Sequence, residues 1–397
     1  MTQISDRVKN LSPSATLAMS QKSSELKARG VDVINMSVGE PDFHTPDYVK
    51  IAAKKAIDDN FSGYTPVPGY MSLRRAIAAK LSRENHVEYA PEQIVVGNGA
   101  KQELCNVLLA TINPGDEVVI PVPAWVSYVE MVKLAEGKVV TVSASVDQDF
   151  KITPQQLEEA ITPRTRMLML NSPSNPTGVI YSHDELKGLV EVLERHPQVM
   201  VLADDIYEHI NFTGEVHSIA GFEQLRDRVI IINGVSKAYA MTGWRIGYMA
   251  GPLEIAKAVT KLQGQYTSGA SSIAQKAAEA AYEGPQDDRE AMRRVFERRR
   301  DLIVELAREI PGWRCNVPQG AFYLFPEVSS YIGKKCEGYD IKSSGDYVMF
   351  LLQEAHVATV DGAAFCAPGY LRLSYATSDD NIREAMRRIR EASARLK

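Results

Sequence analysis

Val229-Ile230-Ile231-Ile232-Asn233-Gly234-Val235-Ser236-Lys237 reads as a buried strand that opens into a loop carrying one lysine. Four apolar β-branched residues favour a covered strand, whereas lysine is mostly a surface residue. A lysine at the mouth of a buried sheet loses hydration, and nearby positive charge lowers its pKa further. Such an amine is a nucleophile, and one use for it is imine formation with an aldehyde cofactor. A few residues on, Met241-Thr242-Gly243-Trp244-Arg245-Ile246-Gly247 sets an arginine among glycines. A solvated loop lysine is the ordinary alternative, and the rest of the chain decides between the two.

Two more apolar runs end in polar residues. Met167-Leu168-Met169-Leu170 leads into Asn171-Ser172-Pro173-Ser174-Asn175-Pro176-Thr177-Gly178. Val199-Met200-Val201-Leu202-Ala203 leads into Asp204-Asp205-Ile206-Tyr207. In an open parallel sheet, ligands bind beyond the carboxyl ends of the strands. If these strands are neighbours, an amide, a carboxylate, a phenol and an amine meet at one edge. Gly97-Asn98-Gly99-Ala100-Lys101-Gln102 precedes a helical run, and backbone N–H groups at a helix N-terminus suit a phosphate. Gln102 stands where a dinucleotide fingerprint needs its third glycine, which argues against that reading.

The chain has 397 residues, 45% of them hydrophobic, which predicts two domains. A net charge of −5 gives no excess of cations for a nucleic-acid backbone. Cys105, Cys315, Cys336 and Cys366 lack zinc or disulfide spacing, so no metal is expected and a reducing compartment is. The N-terminus lacks signal-peptide character, and no apolar run spans a bilayer. A soluble, cytoplasmic protein without membrane or nucleic-acid partners is expected.

Residues 45–285 alternate helical patterns with short apolar runs at 94–96, 117–121, 139–142, 167–171, 200–203 and 229–232. Most runs are continuous rather than alternating, which predicts a largely parallel sheet covered on both faces by helices. Thr45 reads as a helix N-cap followed by Pro46, and Ser182 with Glu185 as a capping box. The character changes near Gly284-Pro285. Residues 286–397 read as a smaller α+β domain, with strands at 322–325, 357–360 and 371–375 and helices at 288–310, 344–355 and 378–396. Residues 1–44 include a helical stretch at 16–29 that packs on the smaller domain or on another subunit.

These pieces, with Val38-Gly39-Glu40-Pro41-Asp42-Phe43, Gly63-Tyr64-Thr65-Pro66, Gly320-Ala321-Phe322-Tyr323 and Leu371-Arg372-Leu373-Ser374-Tyr375-Ala376, follow one another in order along nearly the whole chain. Together they resemble the fold-type I aminotransferases that use pyridoxal 5'-phosphate, in the aspartate aminotransferase branch of class I. The resemblance implies an α/β fold with a mostly parallel seven-stranded sheet in the large domain and a smaller α+β domain. It implies ping-pong transfer of an amino group between an L-amino acid and a 2-oxo acid. Aspartate with 2-oxoglutarate is the first expectation. Aromatic, alanine or prephenate aminotransferase and a carbon–sulfur lyase on the same scaffold are alternatives.

The resemblance also assigns roles. Lys237 forms the cofactor imine and moves the substrate proton, and Asp204 partners the pyridine nitrogen. Asn175 and Tyr207 donate to the phenolate oxygen, and Trp125 stacks on the ring. Arg245, Ser236 and the backbone of Gly99, Ala100 and Lys101 hold the phosphate. Tyr64 reaches it from the neighbouring subunit, which implies a homodimer with shared sites. Arg372 clamps the substrate α-carboxylate, helped by Gly39 and Asn175. Asp205 is expected to face away from the site. Relatives often carry a hydroxyl residue three positions before the lysine; here that position is Gly234. No residue for a distal carboxylate emerges from the sequence.

Overall fold

The computed structural model describes residues 3–397. Its centre is a seven-stranded sheet: β1 (Ile94–Gly97), β2 (Glu117–Val122), β3 (Lys138–Ser143), β4 (Thr165–Asn171), β5 (Met200–Asp204), β6 (Val229–Gly234) and β7 (Gly247–Ala250). The spatial order is β1-β7-β6-β5-β4-β2-β3. All neighbours are parallel except β7, which runs antiparallel to both β1 and β6.

The continuous apolar runs have a direct cause. Val229 and Ile231 enter one hydrophobic cluster while Ile230 and Ile232 enter another, and the same division holds for Val201 and Leu202 and for Leu168 and Met169. Successive side chains point to opposite faces, both faces are roofed by helices, and every position must be apolar.

The six anticipated strands are present with slightly longer bounds. The seventh, β7, has no counterpart among the runs picked out from the sequence. It is four residues long and follows the arginine loop without a break. The run at 357–360 splits at Thr359: Val357–Ala358 pairs with Ile34–Asn35, and Val360–Asp361 pairs with Leu371–Ser374. Helix Asp47–Asp58 starts from Pro46, and the Thr45 hydroxyl donates instead to the Ala240 carbonyl at 2.8 Å. The capping box at Ser182 and Glu185 forms.

Met19, Val33 and Ile34 join the hydrophobic cluster of the C-terminal elements, with Phe296 and Ile303 of helix Asp287–Arg308 and Ile389 of helix Asp379–Ser393. Arg372 is carried by Leu371–Ser374, the middle strand of a three-stranded antiparallel sheet. No helix among the described residues is long and apolar enough to cross a membrane.

Candidate active site

The carboxyl ends of β4, β5 and β6 lie side by side. Asn171 is in register with Asp204, and Asp204 with Ile232. Beyond them opens a cavity of about 320 Å³, within the range of small-molecule sites. It is lined by Gly39, Ala100, Lys101, Trp125, Asn175, Asp204, Tyr207, Ser236, Lys237, Arg245 and Arg372.

The Lys237 amine donates to the Gly39 carbonyl at 2.6 Å. Burial lowers its pKa to about 8, and Arg372 and Arg245 push it the same way against Glu40 and Asp204. That leaves an appreciable fraction of free amine near neutrality. Burial raises the Asp204 carboxyl to about 6, opposed chiefly by the Tyr128 hydroxyl, which donates to Oδ2 at 2.6 Å. The Asn171 amide donates to the Asp204 carbonyl at 2.7 Å and fixes the strand end. Asp205 faces away: its carboxylate accepts from Ser218 at 2.7 Å, on the other side of the sheet edge.

Arg372 is fully buried without a carboxylate partner among the described residues. Its Nη1 donates to Asn175 Oδ1 at 2.9 Å and its Nη2 to the Ser37 carbonyl at 2.6 Å, while Nε has no partner. The guanidinium lies 4.5 Å from the Tyr323 ring centroid and 5.0 Å from that of Phe365. A buried cation held only by neutral groups is a receptor for an anion that enters the cavity. Gly39 lines the same cavity, with its carbonyl accepting from Lys237.

Gly99 (φ +91°) caps helix Ala100–Thr111, and a Cβ there would collide with Arg245 Nη2. Arg245 is itself left-handed (φ +57°), with Nη1 on the Thr242 carbonyl at 2.8 Å. Glycine and arginine thus form a cationic cradle at a helix N-terminus. Gln102, which weakened the dinucleotide reading, returns its side-chain oxygen to the Asn98 N–H at 2.6 Å. Gly234 is required by space, since a Cβ would stand 2.7 Å from the Ile246 carbonyl oxygen. No hydroxyl residue fits there, and Ser236 lines the cavity instead.

Trp125 meets Tyr128 edge-on at 5.4 Å, and the Lys101 ammonium sits 4.7 Å from the Trp125 ring centroid. Tyr207 and Tyr323 share a 2.7 Å hydrogen bond. Tyr64 is fully exposed and lies outside the cavity. Tyr128, Asn171 and Tyr323 therefore belong to the constellation, although no role for them was legible in the sequence. Ser14 and Thr16, at the start of helix Ala15–Ala28, also line the cavity.

A family described as aminotransferase class I and II matches residues 31–389. The chain belongs to this family. It is 50% identical over 399 residues to an aspartate/prephenate aminotransferase of Cereibacter sphaeroides, covering all of both chains. It is 48% identical to an aspartate aminotransferase of Geobacillus stearothermophilus, covering 98% of each. Among solved structures it is similar to the aspartate aminotransferase of Rhizobium meliloti (TM-score 0.97, 44% identity, all of both chains). It is also similar to that of Thermus thermophilus with maleate (TM-score 0.93, 39% identity, 99% of this chain and all of the other).

Proposed function

We propose that this chain is a pyridoxal 5'-phosphate-dependent aminotransferase for dicarboxylic substrates, with L-aspartate and 2-oxoglutarate as its first pair. The observation that carries the reading is one cavity holding a half-buried low-pKa amine, a buried carboxyl and a buried guanidinium with an orphaned nitrogen. The residues fit the cofactor: a cationic glycine-edged cradle for a phosphate, a carboxylate for a ring nitrogen, an indole for a ring face. When bound, the cofactor supplies an aldehyde that condenses with amines and a ring that accepts electrons released at the substrate α-carbon.

Lys237 holds the cofactor and, once freed by substrate, moves a proton at the α-carbon. Asp204, ionised, keeps the ring nitrogen protonated. Tyr207, hydrogen-bonded to Tyr323, would hold the cofactor phenolate together with Nδ2 of Asn175, whose oxygen already serves Arg372. Arg372 grips the α-carboxylate that every substrate and product presents, and its planar fork suits that shape.

The dicarboxylate preference rests on Lys101. Four cations line the cavity: Lys101, Lys237, Arg245 and Arg372. The last three serve amine, phosphate and α-carboxylate. Lys101 has no carboxylate partner among the described residues, and a distal carboxylate is the ligand its chemistry suits. The maleate named with the Thermus thermophilus protein is a dicarboxylate. Prephenate is the second reading, because relatives from several organisms are named aspartate/prephenate aminotransferase and prephenate also bears two carboxylates.

A panel of amino donors with 2-oxoglutarate or prephenate tests this, scored for the amino acid formed. Aspartate leads the panel on this reading. Lys101→Ala lowers kcat/KM for aspartate about tenfold or more while sparing alanine and phenylalanine. An equal loss on all donors would remove Lys101 from the side-chain site.

A further inference from the structure

We propose that Glu208 is a positioning residue that locks the turn carrying Asp204 and Tyr207 to the loop carrying Lys237. The inference rests on the functional reading above and concerns groups outside the cavity, since Glu208 does not line it.

Glu208 follows Tyr207 in the turn after β5, and its own N–H donates to the Asp205 carbonyl at 2.9 Å. Its carboxylate is buried and ringed by donors. Lys80 Nζ, from the end of helix Met71–Lys80, pairs with Oε1. Asn85 Nδ2 donates to Oε2 at 2.6 Å, and Asn233 Nδ2 to Oε1 at 2.6 Å. Burial works against the ionised carboxyl, but Lys80, His209 and the hydrogen bonds outweigh it and hold Glu208 below the ordinary carboxylate range. Asn233 completes the link: its Oδ1 accepts from the Gly234 N–H at 2.7 Å, at the start of the loop that leads to Lys237. One carboxylate is thereby tied to both halves of the catalytic edge.

The Lys80 partner comes from 128 positions upstream, next to a π-helical turn, Leu81–Asn85, which brings Asn85 into the same cluster. Stability alone is a poor reason for this arrangement, because well-packed apolar residues replace a buried ion pair at little cost. An apolar pair cannot grip the Asn233 amide, and so cannot fix the peptide that leads to Lys237. A misplacement near 1 Å can cost roughly a hundredfold in rate, which gives such a lock its value.

The test uses the full-length protein reconstituted with pyridoxal 5'-phosphate. Asn233→Ala cuts the link but leaves the Lys80–Glu208 pair. The double variant Lys80→Met with Glu208→Met removes the charges together. Melting and circular dichroism report the fold. The pH midpoint of the near-ultraviolet to visible absorption change reports the lysine–cofactor geometry, and kcat and KM are read separately. The expected result is a folded, coloured Asn233→Ala protein with kcat down about tenfold, KM nearly unchanged and a displaced midpoint. The double variant behaves alike. Parent-like kcat and midpoint in folded Asn233→Ala would overturn the proposal, whatever the double variant does. A parent protein that takes no colour would overturn the functional reading itself, and this one with it.

Discussion

The Asp204 carboxylate accepts from a hydroxyl 76 positions upstream. Burial pushes its carboxyl up to about 6, and the Tyr128 hydroxyl is the largest influence holding it down. Removing that donor raises the pKa further, so protonation sets in at a higher pH. Tyr128→Phe is accordingly expected to move the acidic limb of kcat/KM to higher pH and to lower the rate at neutrality about tenfold. A pH–rate profile beside the parent's checks this, and an unmoved acidic limb contradicts it. Lys237 and Asp204 were legible in the sequence because each stands beyond an apolar run that predicts burial, and Arg372 through the family resemblance. Tyr128 and Tyr323 were not, because their significance lies in hydrogen bonds across chain crossovers. Lys101 was read through its backbone; its ammonium's place over Trp125 needs the fold.

At the scale of elements, the segment that presents Ser37 and Gly39 to the site is latched by an arginine. Arg299, buried in helix Asp287–Arg308, grips Asp42 with Nη1 at 2.7 Å and Nη2 at 2.9 Å, and its Nε reaches Asp379 at 3.4 Å. The arginine end is buried and its two carboxylates are half-buried, so the latch contributes more than an exposed pair, which contributes little. Arg299→Met is expected to cost about 1–2 kcal/mol in denaturant unfolding, against less than about 0.5 kcal/mol for Arg226→Met at the exposed Arg226–Glu223 pair. Equal losses would contradict the latch. The sequence made six of the seven central strands visible because both faces are covered and the runs are continuous. β7 stayed hidden because four residues beginning with glycine carry too little pattern. The Thr45 cap was misjudged because the hydroxyl serves a distant carbonyl, which only the fold brings near.

For the whole molecule, the resemblance and the exposure of Tyr64 point the same way. A tyrosine that serves the site only from a neighbouring subunit has no reason to be buried in its own chain. We propose a homodimer in which each Tyr64 completes the partner's phosphate cradle. Mixing inactive Lys237→Ala and Tyr64→Ala subunits is expected to regenerate about a quarter of the parent sites, because half the dimers are mixed and each holds one intact site. Activity after verified subunit exchange is the check, and no recovery contradicts a shared site.

The central claim is the covalent partnership of one lysine with the cofactor. The measurement that tests it most directly is borohydride reduction of the protein mixed with pyridoxal 5'-phosphate, followed by peptide mass mapping. The account predicts one reduced pyridoxyl adduct, on Lys237, with loss of activity in proportion to labelling. An adduct confined to Lys101 or another lysine, or none in folded protein, would contradict it.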